Sequence, residues 1–391
     1  MSLLGDAGMD QAGSQPDLLP SDRSVVDSDA APAKNELKFS AGISWGAGFG
    51  SDLGAVAGLF DDDAFPDIVA IGSNNKVVLY KGDGAGGFAP SNVVTLANLP
   101  IDITAGDLNN DSRLDLVTSE FAQEGVSTFL GGVGGTFAKV GTYGPPGGYK
   151  AYYLTLALID GDANLDVVSG NGQAAGPTVP ILLGNGDGTL RPGTTIADPR
   201  QPETIAAADL NRDGLLDLVA ANVDSSDTVT VYLGTGVNQF GAGVEIPTGS
   251  STLRPLLADF NGDGYLDLVA GGFNAMLQVR LSGKNGTFLA PSAQLVGTGD
   301  PSVPSVADLD GDGQLDLALD NITTGTITVL LGNGDGTFQP GKTIAVGTRI
   351  GRLLIADFNH DGRPDLAMTT TATPNVSAPS LVVMLNQSAP L

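Results

Sequence analysis

The chain has 391 residues, enough to bury a large core as one β domain or as two smaller ones. Its 56 Gly, 16% charged residues and 41% hydrophobic residues suit many short strands joined by tight turns and exclude global disorder. The net charge of −26 sets nucleic acid and anionic membrane surfaces aside as partners, and the absence of Cys excludes disulfides, thiolate metal sites and cysteine nucleophiles.

Residues 1–36 carry no basic start and no apolar run, so they do not read as a signal peptide; their composition predicts a flexible acidic leader. Nowhere does an apolar stretch reach the length of a membrane-spanning helix, and no membrane insertion is expected. From residue 37 to 391 a single domain is expected, because one pattern recurs throughout: a short apolar strand, then A-D-L-N-x-D-G-x-x-D-L-V.

In chain order the first copy is degenerate, with Leu59 and Ala64 at the first and sixth positions, and it offers Asp61, Asp63 and Asp67. The second offers Asp107, Asn109, Asp111 and Asp115, with Ser112 where Gly is expected. The third is again degenerate: Leu158 and Ala163 leave Asp160, Asp162 and Asp166. Four complete copies follow, offering Asp209, Asn211, Asp213 and Asp217; Asp259, Asn261, Asp263 and Asp267; Asp308, Asp310, Asp312 and Asp316; and Asp357, Asn359, Asp361 and Asp365. Successive final Asp residues lie 48 to 51 residues apart.

One period holds four strands. In the fourth copy these are expected at 205–208, 217–221, 228–233 and 240–246, and GNGDGT at 184–189 and 332–337 and GKNGT at 283–287 predict tight turns between third and fourth strands. Four antiparallel strands per roughly 50 residues is the period of a propeller blade, so the predicted fold is an all-β, seven-bladed β-propeller. The last copy stops after its third strand, and residues 37–44 (LKFSAGIS) match the outer-strand pattern of TFQPGKTI. They are expected to supply the missing strand as an N-terminal latch.

Calcium takes six to eight oxygen ligands, and D-x-[DN]-x-D-G-x-x-D places side-chain oxygens at positions 1, 3, 5 and 9 with a carbonyl expected at 7. Gly at position 6 permits the sharp turn. Asx-stabilised turns would explain one such loop; five complete copies, each clustering carboxylates that repel one another unless neutralised, point to metal. Five to seven Ca2+ are expected. The loops contain 23 Asp, and seven divalent ions would take the net charge from −26 to −12. Affinities near 10⁻⁴–10⁻³ M, those of extracellular modules, would favour an extracellular or cell-surface setting.

The DxDxDGxxD loop, the aliphatic strand after it and GNGDGTF with FxxG or FxxP outer strands resemble the FG-GAP/VCBS repeats of integrin α-subunit heads over residues 37–386. The resemblance implies a calcium-binding propeller that acts as a non-catalytic adhesion or interaction module. Relatives of this kind include lectins and modules beside enzyme domains. The alternatives are a calcium-stabilised lectin and a polysaccharide lyase or hydrolase. No catalytic pair is recognisable, so no enzyme is expected; the sole His, His360, occupies position 4 of the seventh loop, where a solvated side chain is expected. A protein or glycan ligand is expected on the face opposite the calcium loops, with the chain a monomer. The segment 143–153 (YGPPGGYKAYY) nominates Tyr143, Tyr149 and Lys150 for that contact, with Tyr152 and Tyr153 packing at the start of an inner strand and Trp45 either at the rim or packed.

Overall fold

The computed structural model describes residues 37–46, 52–120, 125–144, 151–171, 178–198, 200–222, 227–249, 254–271, 276–296, 301–321, 324–371 and 380–388. The described residues form seven four-stranded antiparallel sheets and one small two-stranded hairpin. The innermost strands are Asp52–Gly58, Pro100–Gly106, Leu154–Ala157, Pro202–Ala208, Leu256–Ala258, Pro301–Ala307 and Ile350–Ala356. They stand side by side in chain order, and the first also lies against the last, so the sheets form a seven-bladed ring.

The second strand of every blade begins at the final Asp of its loop: Asp67–Gly72, Asp115–Glu120, Asp166–Ser169, Asp217–Asn222, Asp267–Gly271, Asp316–Asn321 and Asp365–Thr370. These strands read as near-continuous apolar runs because both faces are covered by neighbouring blades. Asp217–Asn222, for example, is buried at every position. Seven apolar clusters fill the seven gaps between consecutive blades. The gap between seventh and first is as well filled as the others, with Tyr80 and Phe88 of the first blade against Leu354, Phe358 and Leu381 of the last. Each fully buried large aliphatic or aromatic side chain there contributes about 1.5–3 kcal/mol.

The seventh sheet takes its fourth strand from the other end of the chain. Ile43–Gly46 pairs antiparallel with Ser380–Met384, setting Ile43 opposite Val383 and Trp45 opposite Leu381. The strand therefore begins later than the expected 37–44. Ahead of it only Phe39 makes a bridge, to Asn386, because Gly42 crosses the third strand where a Cβ would lie 2.8 Å from Val382. The sixth blade breaks in the same place, with a Gly332–Phe338 bridge and then Lys342–Ala345. In the fourth blade the expected strand 240–246 is likewise split into Gln239–Phe240 and Val244–Pro247, since Gly243 passes where a Cβ would meet Thr230 at 2.6 Å. Trp45 packs edge-on against Phe88, with ring centroids 5.5 Å apart.

The predicted tight turns are present. Asn185, Gly283 and Asn333 donate their N–H groups to the carbonyls of Thr189, Thr287 and Thr337. Two of these turns reach the preceding blade: Gly188 donates to the Leu108 carbonyl and Gly336 to the Phe260 carbonyl.

Candidate metal centres in the strand-connecting loops

All seven Asp loops join first to second strands and so share one face of the ring. Their anchor is the position-9 carboxylate, which is fully buried in every blade. One oxygen accepts the N–H of position 2 (Phe60, Leu108, Ile159, Leu210, Phe260, Leu309, Phe358) at 2.7–3.0 Å. The other accepts an N–H at the end of the third strand (Gly82, Gly131, Gly184, Gly234, Ser282, Gly332, Asn386) at 2.7–2.9 Å. Glycine holds that third-strand place in five blades because the loop backbone approaches closely; at Gly82 a Cβ would lie 2.3 Å from the Pro66 carbonyl. This tethering role of the position-9 Asp was not legible in the motif, which suggested a ligand alone.

Burial pushes these carboxyls up, to about 6 for Asp67, Asp115, Asp166, Asp267 and Asp365 and about 7 for Asp316, against the pull of the N–H donors; Asp217 is raised for the same reason. A buried carboxylate so placed gains from a nearby cation, which favours its ionised form.

In the second, fourth, fifth, sixth and seventh loops the remaining acidic groups are held by the loop's own N–H groups. The position-1 carboxylate accepts the N–H groups of position 5 at 3.0–3.2 Å and of position 6 at 2.6–2.8 Å. Position 3 accepts from position 5, and position 5 from position 7. Position 6 is left-handed in all five, at φ +81 to +87° for Gly214, Gly264, Gly313 and Gly362 and +68° for Ser112. In the sixth loop the carboxylate oxygens of Asp308, Asp310 and Asp316 lie within 4.8 Å of one another. The other four put Asn109, Asn211, Asn261 or Asn359 at position 3, where an amide oxygen offers the same donor without charge. This set of hard oxygen donors fits a divalent cation such as Ca2+.

Loops one and three differ. Leu59 and Leu158 leave no carboxylate at position 1, and Ala64 and Ala163 are not left-handed. In each, the N–H of position 3 also donates to the position-9 carboxylate, Asp61 to Asp67 at 3.1 Å and Asp160 to Asp166 at 3.2 Å.

Neighbouring loops also touch in a regular way, from position 4 of one to position 7 of the next. Asp62 pairs with Arg113 at 2.5 Å, Asn110 donates to Asn164 at 3.0 Å, and Arg212 lies over the Tyr265 ring at 4.3 Å. His360 is exposed as expected but is not merely solvated: its ring meets Phe65 edge-on at 5.9 Å, linking the last blade to the first.

On the opposite face, the starts of the inner strands bring together a group that the motif search did not nominate. Asp102, buried, accepts the Leu154 N–H at 2.9 Å and an Arg254 Nη2–H at 3.0 Å. Arg254 stacks over Tyr153 at 4.5 Å. This ion pair joins the second blade to the fifth, so it crosses the axis. Burial raises both the Glu203 carboxyl and the Tyr153 phenol beside it. The one sequence signal was a charged residue inside an apolar inner strand, Pro100–Gly106. Tyr143 ends the outer strand Thr136–Tyr143 and is half-buried, and Tyr152 is buried. Tyr149 and Lys150 lie outside the described residues, as does the leader 1–36.

The FG-GAP-like repeat matches residues 60–118, 159–220, 209–270, 259–319 and 321–368, more than half of the chain. A search of curated proteins finds no match. Among solved structures the chain is similar to BBS1N in complex with ARL6DN (TM-score 0.63, 14% identity, 90% of this chain and 99% of that one). It is also similar to an Agrocybe aegerita lectin that specifically recognises non-reducing terminal N-acetylglucosamine (TM-score 0.53, 22% identity, 79% and 81%). A Lactobacillus plantarum protein gives a TM-score of 0.57 at 13% identity, covering 75% and 84%. No helix among the described residues is long and apolar enough to cross a membrane.

Proposed function

We propose that this chain, which belongs to the FG-GAP-like repeat family, is a calcium-stabilised, non-catalytic interaction module that works outside the cytoplasm. The observation that carries the calcium reading is the repetition of one loop geometry in five blades, with the oxygens of positions 1, 3 and 5 accepting loop N–H groups beside a buried position-9 carboxylate, and three carboxylates brought within 4.8 Å of one another in the sixth. Calcium then neutralises carboxylates that would otherwise repel one another, and its sites fill where calcium is millimolar. The partner docks on the face away from the loops, and two neighbours of the same fold support two classes of partner, a protein and a terminal sugar.

A calcium titration followed by calorimetry tests the first half of the reading; a chain that binds no calcium at millimolar concentration refutes it. A glycan array and a protein pull-down, each run with calcium and with EDTA, divide the partner classes. Glycan binding that calcium supports would establish the lectin reading, and turnover of an acidic polysaccharide would overturn the non-catalytic one.

A further inference from the structure

The two loops that lack a position-1 carboxylate each hold a side-chain cation against their position-3 Asp. Lys81 Nζ lies 3.1 Å from an Asp61 oxygen, and Arg191 Nη2 lies 2.9 Å from an Asp160 oxygen. Both carboxylates are only 9% exposed. Neither cation belongs to its blade's pattern. Lys81 stands just before Gly82 at the end of the third strand, where the other six blades place Leu130, Leu183, Leu233, Leu281, Leu331 and Leu385. Arg191 is the second residue of its outer strand, where the other blades carry Ala89, Ala138, Gly241, Leu289, Gln339 and Ser40. A cation thus enters at two different places in the blade, in just those blades whose position 1 is Leu and whose position 6 is Ala.

From this we infer that Lys81 and Arg191 are built-in counter-cations standing in for the metal ion, so that loops one and three take no calcium and the chain binds five ions. The inference rests on the calcium reading of the five complete loops. Electrostatics supports it from two directions. At the ligand positions each degenerate loop keeps three Asp instead of four oxygen-bearing groups, and an ammonium or guanidinium already neutralises the more buried of the outer two. A divalent ion entering would have to displace that cation into repulsion while finding fewer ligands than calcium requires. The fifth and seventh loops show the contrast. Lys284 and Arg363 touch the position-5 carboxylates of Asp263 and Asp361, which are 25% and 26% exposed, and Asp259 and Asp357 remain at position 1. Those cations sit at the outer edge of a complete ligand set.

The test is the calcium stoichiometry of the full chain at saturating Ca2+, measured by equilibrium dialysis with elemental analysis and by native mass spectrometry. Five ions per chain are expected. Six or seven would overturn the inference while leaving the calcium reading intact; none would overturn the calcium reading and this inference with it. Rebuilding a loop makes the converse measurement. Leu59→Asp with Ala64→Gly and Lys81→Leu should raise the count to six, and a cooperatively folded variant that still binds five would refute the assignment. Should that variant fail to fold, Leu158→Asp with Ala163→Gly and Arg191→Ala repeats the test in the third blade. Lys81→Leu alone should lower the melting temperature in excess EDTA, and Lys81→Arg should restore it; equal melting of all three proteins would refute a neutralising role.

Discussion

Replacing a position-9 Asp by Ala should destabilise the ring whether or not its loop binds metal. Asp67 is the test case, because its loop is the one assigned a lysine in place of an ion. Its carboxylate accepts the N–H groups of Phe60 at 3.0 Å, Asp61 at 3.1 Å and Gly82 at 2.9 Å, and the side chain is fully buried. Asp67→Ala strands at least the Phe60 and Gly82 donors in a site water does not reach. At about 1–3 kcal/mol for each buried donor left unpaired, the loss is roughly 2–6 kcal/mol. A chain of this length has an unfolding entropy of roughly 0.7–0.8 kcal/mol/K, so the melting temperature should fall by about 3–8 °C. Asp67→Asn keeps one acceptor and turns an amide N–H₂ toward the second donor, so about half the loss is expected. Differential scanning calorimetry in calcium and in EDTA reads both effects. For Asp67 the loss should be the same in the two buffers, whereas for Asp267→Ala it should be larger in calcium. An Asp67→Ala protein melting within about 1 °C of the parent would refute the tethering argument.

Three further outcomes are expected. Deleting residues 1–46 removes Ile43–Gly46 from the last sheet, leaving Ser380–Met384 as an open edge; melting should fall sharply, while deletion of 1–34 should leave it unchanged, and equal effects would refute closure by the N-terminal strand. Excess EDTA should lower the melting temperature of the parent chain by several degrees, and indifference would count against structural calcium. Gly313→Ala should cost about 1–2 kcal/mol, since φ is +81° and a Cβ would meet nothing within 4 Å. Ser112→Gly, at φ +68°, should gain up to a comparable amount. Thermal unfolding of both variants in EDTA separates this conformational term from metal binding.

What the sequence determined by itself was whatever lies within one repeat. A period of 48 to 51 residues, alternating strands and a D-x-[DN]-x-D-G-x-x-D loop state the blade, its number and the oxygen-rich turns, because these depend on neighbours along the chain. The loss of position 1 at Leu59 and Leu158 was equally plain. What fills the gap was not. Lys81 lies 20 residues after Asp61 and Arg191 lies 31 after Asp160, and only the third-strand and outer-strand registers carry them back to the loop. The position-9 Asp likewise reads as one more ligand until the sheet closes and the third-strand N–H meets it. Contacts between loops, such as His360 with Phe65, and the Arg254–Asp102 pair across the axis depend on which blades become neighbours and how the inner strands converge. Such distances are set by packing of residues far apart in the chain, and no local pattern encodes them.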